Sequence, residues 1–125
     1  MQFGPTIPIL RMFDPAKARE FYVGFLGFKV DWEHRFGPEF PLYTQVSCGD
    51  CRLHLSEHHG DSPPGAAVRI VVGDVDAYCA ELKTREYRFA RPSVENKPWN
   101  LREMTVIDPF ANRVLFVDAR PLPGA

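Results

Sequence analysis

Two stretches of this chain begin the same way, sixty residues apart. Ile9-Leu-Arg-Met-Phe-Asp14 runs into an amphipathic stretch over residues 15–26 and then into Gly27-Phe-Lys-Val30. Arg69-Ile-Val-Val-Gly-Asp74 runs into an amphipathic stretch over residues 75–82 and then into Tyr87-Arg-Phe89. In both the order is strand, aspartate, helix, strand, and the aspartate is placed to cap the helix, since its carboxylate accepts the free N–H groups of the first turn. Each half then closes on a hairpin. The first has strands at 43–46 and 52–56 around Cys-Gly-Asp-Cys, the second at 104–107 and 113–117 around Pro-Phe-Ala-Asn. Arg52 and Arg113 are 61 residues apart, so the register drifts by one residue between landmarks.

The repeat predicts an α+β chain of two βαβββ modules in tandem, over about residues 1–62 and about 66–125, joined by the loop Asp61-Ser-Pro-Pro-Gly-Ala66. With 125 residues there is enough chain for one core and too little for two ordinary domains, so residues 1–125 are expected to form one domain. A four-stranded sheet with a helix on one face leaves its other face uncovered. Two such modules joined at their edges form a curved mixed sheet around a cleft, and that cleft is the expected ligand site.

Composition narrows the partners. No apolar run approaches the roughly 20 residues that span a bilayer, so no membrane association is expected. The opening MQFGPTIPIL lacks a basic stretch followed by an apolar one, and the expected location is the cytoplasm. A formal net charge of −1 with interspersed signs gives no footprint for a phosphate backbone, so no nucleic acid partner is expected. The three cysteines are too few for a disulfide scaffold, in keeping with a reducing compartment.

Three segments carry a resemblance. Phe21-Tyr-Val-Gly-Phe-Leu-Gly-Phe28, Lys97-Pro-Trp-Asn-Leu-Arg-Glu103 and Asp108-Pro-Phe-Ala-Asn-Arg113, set in the repeat, resemble the glyoxalase/bleomycin-resistance/extradiol-dioxygenase superfamily, over about residues 7–118. The second and third segments are similar to its bleomycin-resistance branch. That resemblance implies a homodimer that binds a drug or metabolite stoichiometrically, such as a bleomycin-like glycopeptide, without turnover and without a cofactor. The alternative is a divergent metal-dependent isomerase, lyase or dioxygenase of the same superfamily; a third reading is a pure interaction module.

Metal-dependent members place ligands at four equivalent points. The resemblance carries these to Ile7, His54, Ala67 and Leu115, of which only His54 has a donor atom, so no metal site is expected. The segment Cys48-Gly-Asp-Cys-Arg-Leu-His-Leu-Ser-Glu-His-His-Gly-Asp61 has the composition of a metal site. Strand alternation separates its groups, however. Leu53 and Leu55 point under the helix, while Arg52, His54 and Ser56 point to the cleft. Cys48 and Cys51 bracket a two-residue turn.

His54 and Ser56 are thus expected to contact ligand, with no catalytic group assigned. Tyr43 on the neighbouring strand is a candidate for the cleft wall. Trp99, held by Pro98 beside Arg102, offers a stacking surface for a planar or glycosylated ligand. Arg102 and Met104, on the strand that follows, complete the expected ligand-binding set. Trp32 reads as an exposed strand residue leading into the loop at 37–41.

Overall fold

The computed structural model describes residues 1–122 and gives two four-stranded mixed sheets, each backed by a helix. Module 1 comprises β1 (Ile9–Arg11), α1 (Pro15–Arg19), β2 (Lys29–His34), β3 (Tyr43–Cys48) and β4 (Cys51–Ser56). Module 2 comprises β5 (Ala67–Val72), α2 (Val75–Lys83), β6 (Val94–Asn96), β7 (Arg102–Ile107) and β8 (Arg113–Asp118). The strand orders are β1-β4-β3-β2 and β5-β8-β7-β6, the same path taken twice. In each sheet the first strand lies parallel to the last, and the others pair antiparallel.

Both aspartate caps form. Asp14 accepts from the N–H groups of Ala16 and Lys17, and Asp74 from that of Ala77. Helix α1 continues into π-helical turns over Glu20–Phe25, where Leu26 N–H reaches Phe21 O, and the chain leaves through Gly27 at φ +86°. Gly49 at φ +58° makes the β3–β4 turn, with Cys48 opposite Cys51.

One segment departs from expectation. Tyr87-Arg-Phe89 is not a strand; the short edge strand of module 2 comes later, as β6. The Tyr87 ring instead stacks on Phe25 at 4.8 Å and meets Phe21 edge-on at 5.6 Å, covering the first helix. Burial of that ring against the other module outweighs strand propensity at this position.

Side chains from both modules share one core. Phe21, Tyr22, Phe25, Leu53 and Leu55 are continuous with Val75, Leu82, Met104, Val114 and Phe116. Polar bonds fasten the junction. Tyr22 Oη donates to Asp108 Oδ2 at 2.6 Å, and Asn112 Nδ2 donates to Arg11 O while its Oδ1 accepts from Ala66 N–H. Asp108 Oδ1 accepts from the N–H groups of Phe110 and Asn112, which closes the β7–β8 turn, where Ala111 takes φ +67°. Burial and the Asp108 carboxylate push the Tyr22 phenol well above its ordinary pKa.

Candidate functional site

The face of each sheet opposite its helix is here called the open face. Pairing partners share a face, so the register lists its occupants. In module 1, Gln45 lies opposite His54 and Tyr43 opposite Ser56. On β2 the register slips by one residue between Val30 and Trp32, which brings Trp32 opposite Gln45 and His34 opposite Tyr43. Such a bulge re-aims the side chains beyond it.

These residues form a chain of hydrogen bonds under an aromatic platform. Gln45 Nε2 donates to Asp31 Oδ2 at 3.0 Å, which leaves Gln45 Oε1 to accept from His54 Nε2 at 3.0 Å. His54 Nδ1 therefore accepts from Tyr43 Oη at 2.7 Å, and this fixes the neutral tautomer. Burial lowers the His54 pKa, and burial followed by the nearby Asp61 carboxylate raises that of Tyr43. Bonds from Gln45 and Ser47 hold the Asp31 carboxyl below its usual range. Trp32 lies parallel to Tyr43, with centroids 6.0 Å apart and planes 10° apart, and meets His54 edge-on at 5.3 Å. It is 42 % exposed.

In module 2 the same logic puts Glu103, Thr105 and Ile107 of β7 on the open face, opposite Val117, Leu115 and Arg113. Glu103 is 1 % exposed, although the two side chains bonded to it are about half exposed. Arg69 binds it through both guanidinium Nη atoms at 3.2 and 2.8 Å, and Trp99 Nε1 donates to it at 2.5 Å. The Arg69 bonds lower the Glu103 pKa, burial opposes this, and the Trp99 bond adds to the lowering. Trp99 itself is 55 % exposed.

The structure sorts the expected ligand set. His54 and Tyr43 are brought together, and Trp99 stands on the open face of the other module. Ser56 shares the face of His54 but is sealed, because its hydroxyl donates to Asp61 Oδ2 at 2.7 Å and accepts from His58 N–H. Met104 and Arg102 lie on the opposite side of β7. Met104 is 0 % exposed in the core, and Arg102 pairs with Asp76 of α2 at 2.8 Å and with Asn96. Side chains on a strand alternate, so with Glu103 on the open face its two neighbours must face the helix. Trp32, Gln45, Asp31 and Arg69 were absent from the expected set. Strand alternation carried from His54 across the pairing would have supplied Gln45, but the bulge that aims Trp32 leaves no trace in residue type.

The four points at which metal-dependent relatives hold an ion do not fit one here. Ile7, Ala67 and Leu115 have no donor atoms, and both ring nitrogens of His54 are committed to Tyr43 and Gln45. Among the described residues, the one group of three metal-ligating side chains within reach of each other is Asp74, Asp76 and Asp118. Arg102 and Arg120 already neutralise it.

A duplicated βαβββ chain with aromatic side chains displayed on uncovered sheet faces defines a paired-module protein of the glyoxalase type. The chain belongs to the glyoxalase superfamily, whose family description, glyoxalase superfamily protein, matches residues 1–121. A bleomycin-binding protein from bleomycin-producing Streptomyces verticillus, solved with copper(II)-bleomycin, has a TM-score of 0.73 and 31 % identity, over 96 % of this chain and 99 % of that one. A glyoxalase/bleomycin resistance protein from Streptomyces sp. CB03234 has a TM-score of 0.67 and 28 % identity, over 88 % and 96 %. An antibiotic binding protein from the same source has a TM-score of 0.69 at 24 % identity, over 94 % and 98 %, a likeness of fold. No curated protein matches the chain.

Proposed function

We propose that this protein sequesters a small molecule, a drug or metabolite with a planar aromatic portion, without transforming it. The observation that carries the reading is the contrast on the open faces. His54 is tied at both ring nitrogens, whereas the rings of Trp32 and Trp99 are available for stacking. A general base needs a free lone pair within reach of the proton it removes, and a stacking site needs only an exposed ring held in place. The similarity to a bleomycin-binding protein supports small-molecule binding and makes a bleomycin-like glycopeptide the first ligand to try.

In this reading the binding unit is a cytoplasmic homodimer in which open faces pair into a cleft. Val71 and Ile107 are 70 % and 56 % exposed on module 2, and Ile9 is exposed on module 1. Apolar side chains set on an uncovered sheet face favour cover by a second copy. The test is isothermal titration with bleomycin, followed by recovery of the drug and sedimentation of the complex. Saturation at one intact drug per chain on a dimer supports the proposal. A chemically altered drug rejects sequestration, and a flat titration rejects this ligand.

A further inference from the structure

We propose that Cys48 and Cys51 join in a reversible disulfide when the chain meets a low-molecular-weight disulfide, which makes the β3–β4 turn a redox modification site. The two residues face each other across a two-residue turn, as Cα partners in the strand register. Residues so paired hold their Cα atoms about 4.5–5.5 Å apart with both side chains on one face, and a disulfide spans about 4.4–6.8 Å. Gly49, the first central residue, takes φ +58°, the positive value that tight hairpin turns require there. The turn that holds the pair together is therefore built from the residue it needs.

Strand alternation puts both sulfurs on the helix side of the first sheet, with Leu53 and Leu55 and away from the open faces. There they line one cavity of about 630 Å3, walled on its far side by Ile70, Tyr78 and Phe116 of module 2. The cavity has the size of a small-molecule pocket and gives a small disulfide a way to the thiols. Both thiols are free, Cys48 exposed and Cys51 half-buried. The Cys51 pKa is raised by burial and then by the charge of a Cys48 thiolate, so the two groups are close enough to sense each other. Cys79 differs from both, since it is buried in α2 and its Sγ donates to Pro92 O at 3.6 Å.

Among the described residues no third metal-ligating side chain joins the pair within reach of one ion, so what the two thiols can make is a bond to each other. Arg85, the cation of that cavity, is taken by Glu81 and by Phe25 O, and Asp50 adds negative charge to the rim. Proximity of the sulfurs, rather than a cation that draws out a thiolate, thus favours the reaction. The exposed Cys48 reacts first. Its thiolate attacks one sulfur of a glutathione disulfide and releases one glutathione, which takes up the proton that Cys48 lost, leaving a mixed disulfide. Cys51 then attacks Cys48 Sγ and expels the second glutathione, which takes the Cys51 proton. Two protein thiols are oxidised to one disulfide, and one glutathione disulfide is reduced to two thiols. An exposed disulfide is readily reversed, and this one fastens the tip of the hairpin that carries Tyr43, Gln45 and His54.

The test equilibrates the full chain with reduced and oxidised glutathione at a series of ratios, traps the free thiols with N-ethylmaleimide in denaturant, and weighs the intact chain. All three cysteines should take label in reducing buffer and only Cys79 in oxidising buffer, where the chain should be lighter by two hydrogens and carry no glutathione. Dithiothreitol should restore full labelling. Cys51→Ser should instead keep a glutathione on Cys48, and in the native chain Cys48 should take maleimide at least about tenfold faster than Cys79. Phenylarsine oxide condenses with two neighbouring thiols and releases water, a readout that does not depend on redox potential. One should bind per parent chain and none to Cys51→Ser. Full labelling at every ratio, a lasting glutathione adduct on the parent, or a disulfide made through Cys79 or between chains overturns the inference. So does a parent chain that binds no phenylarsine oxide.

Discussion

The indole N–H of Trp99 donates to the carboxylate of Glu103 at 2.5 Å, so that a screened acid aims an exposed ring. Glu103→Gln keeps the shape but removes the charge that holds Arg69. The expected cost is about 1–2 kcal/mol, the lower part of the range for charge-assisted bonds because Arg69 is half exposed. Thermal unfolding reads the stability. In a Trp32→Phe background the Trp99 emission should shift as the ring loses its fixed partner. An unchanged melting temperature and emission would mean that Glu103 does not position the indole.

His54 gives the protein a pH dependence whose sign is set by burial. Its folded-state pKa lies below the ordinary 6.5, so the folded chain binds this proton less readily than the unfolded chain. The resulting stability is present above about pH 6.5 and is lost as pH falls toward the depressed value. Protonation also turns Nδ1 into a donor, so that the Tyr43 hydroxyl must accept where it had donated. Melting temperatures from pH 7.5 to 5.5 should fall more steeply for the parent than for His54→Gln. Parallel curves would count against this account.

The bond between Tyr22 and Asp108 joins the two copies of the repeat, and its partners are unequal. Tyr22→Phe removes one hydrogen bond and leaves Asp108 with three other donors, for an expected loss of about 1–2 kcal/mol. Asp108→Ala strands all four donors and should cost about 3–5 kcal/mol. Denaturant unfolding of the two variants checks the order. Equal losses would show that the turn does not depend on the carboxylate.

Arg102 and Trp99 are close in sequence but separate in role. Arg102→Ala breaks the solvent-screened pair with Asp76 on the helix side and should leave the affinity for any open-face ligand within about twofold. Trp99→Ala should lower that affinity about tenfold or more while leaving the core intact. Titration of both variants with the same ligand separates them. A large affinity loss in Arg102→Ala would place that residue in the site after all.

The duplicated architecture was legible because its signals are local and occur twice: capping aspartates, alternating strands and turn residues at the same interval. The facing of β4 followed from Leu53 and Leu55, and with it the place of His54. On β7 the same alternation, carried across the pairing of Leu115 with Thr105, would have turned Glu103 to the open face and taken Arg102 and Met104 off it. Proximity to Trp99 misled there, since adjacent residues of a strand face opposite ways. The sealing of Ser56 and the docking of Tyr87 on Phe25 depend on contacts made by loops, and no residue pattern encodes those. The Asp-Pro-Phe-Ala-Asn segment, which carried the resemblance, fastens the two modules to each other.

The bulge on β2 lets two consecutive side chains, Asp31 and Trp32, address the same face. With regular pairing beyond Val30, Trp32 would oppose Thr44 and be turned beneath the first helix. Removing Asp31 alone would restore an unbroken ladder and still leave the indole opposite Gln45. Acid and ring are therefore separable by chain length. The loss or gain of a single codon on this strand can reset the charge beside the platform while its aromatic surface stays in place, a route to new ligand preferences that leaves the scaffold unaltered.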